Sequence, residues 1–104
     1  MSDWRERKTD ETRQVEELLG GHFQTVNAYR YNSASIRVRV IDERFESKTL
    51  AEREAMVMPL VMKLPKRIRE DILMLIMLAP RELDAPNVQS LTNIEFEQPL
   101  TSRL

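Results

Sequence analysis

The sequence predicts one small α/β (α+β) domain, with elements in the order α-β-β-α-α-β, and three observations carry that prediction. Ile36, Val38 and Val40 alternate with Arg37 and Arg39, the period-two pattern of a strand with one face buried and one wet. Thr49-Leu50-Ala51-Glu52 has the spacing of a capping box: the Thr49 hydroxyl accepts from the Glu52 amide while the Glu52 carboxylate reaches back to the Thr49 amide, so a helix begins soon after that strand. Ile72 to Leu78 is an unbroken apolar run between Asp71 and Ala79-Pro80, the length of a buried strand. At 104 residues and 12.3 kDa the chain supports one modest core.

Residues 1–8 are polar apart from Trp4 and are expected to form a flexible N-terminus ahead of a domain over residues 9–80. Thr9 or Asp10 caps a helix running to about Leu19, with Val15, Leu18 and Leu19 as its apolar stripe, and Gly20-Gly21 ends it by allowing positive φ. Phe23 to Tyr31 reads as a strand with a bulge near Thr25 and Val26, because its aromatic and β-branched residues alternate imperfectly. Tyr31-Asn32-Ser33-Ala34 is a compact turn that returns the chain into the strand Ser35 to Ile41, giving a hairpin. The helix from Thr49 carries Leu50, Val57, Leu60, Val61 and Leu64 on or near one face, and Pro59 is expected to kink it without stopping it. Pro65 opens a short second helix, Lys66 to Glu70, anchored by Ile68. After the strand Ile72 to Leu78, residues 81–104 form a mostly polar tail, in which Leu91, Ile94, Phe96 and Leu100 could dock or build a short extended element.

Composition removes several function classes. The formal net charge is -1 and the pI about 5.9, so no global positive excess drives non-specific phosphate binding. The absence of cysteine removes disulfides, thiolate nucleophiles and cysteine-ligated metals. The N-terminus is charged where a signal peptide would be apolar, and no apolar run reaches membrane-spanning length. A cytoplasmic location without membrane contact is the expectation.

At the junction from strand to capped helix, Phe45, Lys48, Thr49 and Arg53 resemble the signature of the BolA family: Phe, any residue, Gly-Lys-Ser, then Arg-His inside the helix. The glycine is replaced by Ser47 and the histidine by Glu54. The resemblance covers roughly Leu18 to Ala79. It implies a class II K-homology-like fold, a three-stranded mixed sheet with helices packed on one face. It also implies a non-catalytic regulatory protein linked to stress response, transcription or iron handling, working through a monothiol glutaredoxin. In such complexes a bridging iron–sulfur cluster takes a histidine from the segment before the third strand, and a second ligand from the loop between the first two strands. Here Leu73 stands at the histidine position and the loop Asn32 to Ser35 holds no His or Cys, so no cofactor and no histidine-ligated cluster is expected. The single histidine, His22, is a weak metal candidate that reads better as a surface or capping residue.

Catalysis is not expected. Ser33, His22 and Asp42 could be assembled on paper, but no activated-nucleophile turn accompanies them. Gly20-Gly21 is no phosphate loop, and Met56, Met58, Met62, Met74 and Met77 lie inside apolar runs that suit core filling. No GXXG loop is present, but Arg37 and Arg39 share a sheet face with the aromatic hairpin, so a K-homology-like single-strand nucleic-acid binder is the alternative reading. The main reading is an adaptor acting by protein contact. Phe45, Thr49 and Glu52 shape the connector, and Arg37, Arg39, Lys48 and Arg53 are candidate contact residues. Met74, Ile76 and Leu78 face away from the helices and would leave an apolar patch in water. That patch calls for a cover: the tail, a second copy forming a homodimer through the sheet face, or another protein.

Overall fold

The computed structural model describes residues 4–84. The tail expectations for Leu91, Ile94, Phe96 and Leu100 lie outside the described residues. A 3₁₀ turn at Trp4–Glu6 precedes α1 (Asp10–Gly20), β1 (Thr25–Asn32) and β2 (Ser35–Ile41). A second 3₁₀ turn, Glu43–Phe45, leads to α2 (Leu50–Val61), α3 (Lys66–Arg69) and β3 (Ile72–Leu78), and a third closes the described chain at Pro80–Asp84. The α-β-β-α-α-β order and the mixed α+β class are those expected. The sheet order is β1-β2-β3, antiparallel between β1 and β2 and parallel between β2 and β3. The parallel pair needs a crossover, and α2 with α3 supplies it.

Local chemistry explains the boundaries. Thr9 and Thr12 cap α1 reciprocally: the Thr9 N–H donates to Thr12 Oγ1 at 2.8 Å and the Thr12 N–H to Thr9 Oγ1 at 3.3 Å. At the other end neither glycine has positive φ. The helix runs through Gly20 and is closed by the His22 and Phe23 N–H groups, both donating to the Leu19 carbonyl, so the expected left-handed stop is not used. β1 starts two residues later than expected, because Phe23 turns into the core against Phe45, ring centroids 5.8 Å apart, instead of entering the ladder. Its register shift falls between Arg30 and Asn32, not near Thr25. The Thr49–Glu52 capping box is formed, and α2 continues through Pro59 to Val61. Pro65 is the N-cap of α3, one position before the place expected.

Arg7 and Lys8, in the segment expected as a flexible N-terminus, bond to the domain. The Arg7 carbonyl accepts from the Arg30 N–H at 2.9 Å, and the Lys8 ammonium donates to the Glu16 carboxylate.

The register places Ile36, Val38 and Val40 beside Ile72, Leu75 and Met77 on the helix side. There Val15, Leu19, Phe45, Val57 and Ile68 complete a buried core. Fully burying such a side chain is worth roughly 1.5–3 kcal/mol. On the opposite face, cross-strand rows run Tyr29–Arg37–Met74 and Asn27–Arg39–Ile76.

Candidate protein-interaction surface

The outer face of the sheet, expected to leave an apolar patch in water, is largely enclosed. Tyr29, Ile76 and Leu78 form a second cluster with Tyr31, Met74 and Leu83, and Ile76 is only 3 % exposed and Leu78 0 %. Leu83 reaches this face from the turn after β3, an element that the apolar pattern of β3 itself does not announce. Ile76 and Leu78 therefore have no surface to offer a partner, which corrects the expectation placed on them. Met74 keeps a half-buried position.

The arginines on this face are also built in. Arg39 is 5 % exposed and directs Nε and Nη2 to Asn27 Oδ1 at 3.1 and 2.8 Å. Arg37 lies over the Tyr31 ring at 3.7 Å and donates to the Tyr29 hydroxyl at 3.4 Å. A single-strand binder needs open aromatic faces and accessible cations. With Tyr29 and Arg39 buried, this face presents no open stacking platform.

Arg53, a third candidate contact residue, is an internal clamp. Its guanidinium donates from Nε to the Lys48 carbonyl at 3.0 Å and from Nη1 to the Met77 carbonyl at 2.8 Å. It also grips Glu82 with two bonds of 2.7 and 2.9 Å. Glu82 in turn accepts from the Ala79 N–H at 2.7 Å, and the bond to Arg53 is the main reason its carboxyl is held below the ordinary glutamate range. The start of α2, the connector, the end of β3 and the following turn thus meet at one side chain. Lys48 remains exposed, its N–H donating to the Phe45 carbonyl.

The connector carries one strained residue. Ser47 has φ 62°, the only positive φ among the described non-glycine residues, and it occupies the position where the BolA signature has glycine. Just upstream, Asp42 is 2 % exposed and accepts from Gln24 N–H, Arg44 N–H and the Arg44 guanidinium. The Arg44 side-chain bond, first among these, lowers the Asp42 pKa. The paper triad does not assemble. Ser33 precedes β2 and Asp42 follows it, so a strand of seven residues, roughly 20 Å, separates them. His22 is exposed and lines an open cleft with Phe23, Arg44, Met56, Pro59 and Leu60. Among the described residues no cluster of three or more His, Cys, Asp or Glu is placed to hold a metal, and no helix is long and apolar enough to cross a membrane.

The feature that the candidate residues missed is the side of β3 that no strand among the described residues covers. The Leu78 carbonyl accepts from the Asp42 N–H at 3.0 Å, so Leu78, and by alternation Ile76 and Met74, turn their peptide groups to β2. Leu75 and Met77 then turn theirs away from the sheet, and the Met77 carbonyl is the one that Arg53 takes. Turned away from β2 are the Ile72 and Leu75 peptide groups, the Leu73 carbonyl and the Met77 N–H, with no neighbouring strand among the described residues; Met77, 1 % exposed, offers no accessible N–H. Beside them Leu73 is 69 % exposed. The opposite edge is closed: the outward N–H groups of Ala28 and Arg30 donate to the Glu16 carboxylate and the Arg7 carbonyl.

Comparison with protein-family models, with curated proteins and with solved structures gives no match in any of the three.

Proposed function

We propose that this chain is a non-enzymatic, BolA-like adaptor of the cytoplasm that acts by protein contact, through an extended segment of its partner laid along β3. The observation that carries the reading is the β3 edge, which has no neighbouring strand among the described residues and carries Leu73, 69 % exposed. Sheet edges are ordinarily blunted by charge, proline or a covering element, and Ile72–Leu78 contains neither charge nor proline. An extended peptide supplies the missing hydrogen bonds and gains affinity from them. The strained Ser47 at the signature glycine position, followed by the formed Thr49 cap, supports the BolA-like reading. That resemblance makes a monothiol glutaredoxin the first partner to test, and stress or iron handling the first process, with contact made through protein alone because Leu73 replaces the histidine.

The test is binding of a purified monothiol glutaredoxin, and of partners co-purified from the native host, to the full chain and to Leu73→Lys. The reading expects one partner whose affinity falls at least tenfold with the charged edge. Partners bound equally well by both forms would overturn it.

A further inference from the structure

We infer that the solvent side of α2 is a contact surface of its own, not involving β3, and that its occupant is α2 of a second copy of this chain, packed antiparallel about a two-fold axis. α2 buries Val57 and Val61 and packs Met56 and Leu60 against the core, yet its other side is apolar as well. Ala51, Ala55, Met58 and Met62 are all exposed, Met58 by 38 % and Met62 by 56 %. They stand four, three and four residues apart, which at 3.6 residues per turn places them within an arc of about 60°. A surface helix ordinarily carries charged or polar residues on that side. Four-three-four spacing is the seam by which one helix packs on another; the alanines let a second backbone come close, and the unbranched methionines adapt to the gap between helices.

Size and charge along the seam select a second copy and fix its direction. With the axis between Ala55 and Met58, Ala55 faces Met58 of the other copy and Ala51 faces its Met62, so every small residue meets a large one and the layers interdigitate. A parallel pair would set alanine on alanine and methionine on methionine. Glu52 and Glu54 lie toward the start of α2, and Lys63 and Lys66 follow its end, all exposed. An identical helix running the other way therefore brings an acidic end against a basic one. On one flank Glu52 comes level with Lys63 of the other copy, twice by symmetry. On the other, Glu54 and its counterpart stay in solvent about 10 Å apart, a Debye length, where repulsion is largely screened. The contact is isologous and closes at two copies. Its four seam residues fall well short of the roughly 20–30 residues a side of a standard interface, so the dimer is weak and concentration-dependent.

The test is sedimentation equilibrium of the full chain from about 10 µM to about 1 mM, which spans weak association, beside Ala55→Glu, Lys63→Glu and Leu73→Lys. The inference expects a mass rising from 12.3 kDa toward twice that value. It expects a tenfold or greater weakening in Ala55→Glu, which puts a charge at the centre of the seam, a smaller weakening in Lys63→Glu and in added salt, and no change in Leu73→Lys. Lys63→Glu lies beyond the helix and keeps the test decisive if Ala55→Glu disturbs α2. A spin label on Glu54→Cys, the sole cysteine in that variant, should report backbone positions about 10 Å apart, five residues along the axis and one helix spacing across. A monomer at about 1 mM overturns the inference, as does a dimer indifferent to both Ala55→Glu and Lys63→Glu, or one whose labels lie beyond about 30 Å, well outside helix-packing distance. A dimer weakened by Leu73→Lys alone overturns it in favour of pairing through β3. Loss of partner binding in Leu73→Lys with the dimer intact supports both readings, and an intact dimer whose partners bind wild type and Leu73→Lys alike overturns the adaptor reading instead.

Discussion

Arg53 and Glu82 form a two-pronged ion pair, 2.7 and 2.9 Å, that joins the first turn of α2 to the segment after β3. The arginine is 4 % exposed and its other donors go to main-chain carbonyls of Lys48 and Met77. A planar fork of five donors suits this arrangement, and an ammonium does not. The pair also keeps the Met77 carbonyl engaged on the side of β3 away from β2.

Removing the carboxylate leaves a buried cation with lost partners. Glu82→Ala is expected to destabilise the fold by about 3 kcal/mol, the lower end for breaking a buried pair because Glu82 is itself partly exposed. Arg53→Lys should cost less than this but lose the grip on Met77. Chemical denaturation of the three proteins checks both values, and a change within ~0.5 kcal/mol for Glu82→Ala, the size of an ordinary surface substitution, would contradict the clamp.

Ser47→Gly should stabilise the chain. A left-handed conformation costs an L-residue roughly 1–2 kcal/mol, and part of the relief is returned as the extra freedom of glycine in the unfolded chain. A net gain of about 0.5–1 kcal/mol is expected, read as a rise of several degrees in Tm. A fall in Tm would show that the Ser47 side chain contributes more than its backbone strain.

Acid sensitivity follows from Asp42 and Glu82, both held below their ordinary values by arginine hydrogen bonds. A carboxylate with a depressed folded pKa stabilises fully above its unfolded value, near 4 for these groups, and that stability is lost as pH falls through the lower folded value. Unfolding free energy should therefore stay level with respect to these two groups above about pH 5 and fall below about pH 4. Asp42→Asn should flatten the acid limb, and an unchanged limb in that variant would remove Asp42 from the account.

Reconstitution of an iron–sulfur cluster with a monothiol glutaredoxin should give no spectrum of a histidine-ligated mixed complex, since Leu73 stands where the resemblance places the ligand. A mixed-complex spectrum that disappears in His22→Ala would show that the lone histidine serves after all.

Legibility in the sequence followed the physics of each element. β2 and β3 have the expected ends, because alternation marks β2 while the length of the β3 run and its bounds at Asp71 and Ala79-Pro80 favour a strand over a helix. β1 was blurred: Phe23, aromatic and adjacent, belongs to the core but not to the ladder. The connector was readable at Phe45, Thr49 and Glu52 because capping is local chemistry. Arg53 reads from its own segment as a surface cation, because the carboxylate that holds it, Glu82, lies 29 residues further along the chain. The enclosure of Ile76 and Leu78, and the lack of a strand beside Leu75 among the described residues, depend on which elements neighbour which. No residue type encodes that by itself; the only hint was the lack of charge and proline in β3.

Residue-resolved amide exchange of the full chain, alone and with a bound partner, tests the role of the β3 edge most directly. The account predicts a contrast in the dilute protein, with Met74, Ile76 and Leu78 slow because their N–H groups face β2, and Leu75 fast. Leu75 should then slow selectively on association. Fast exchange at Leu75 that persists in the bound state, or slow exchange there in the dilute protein, would contradict it.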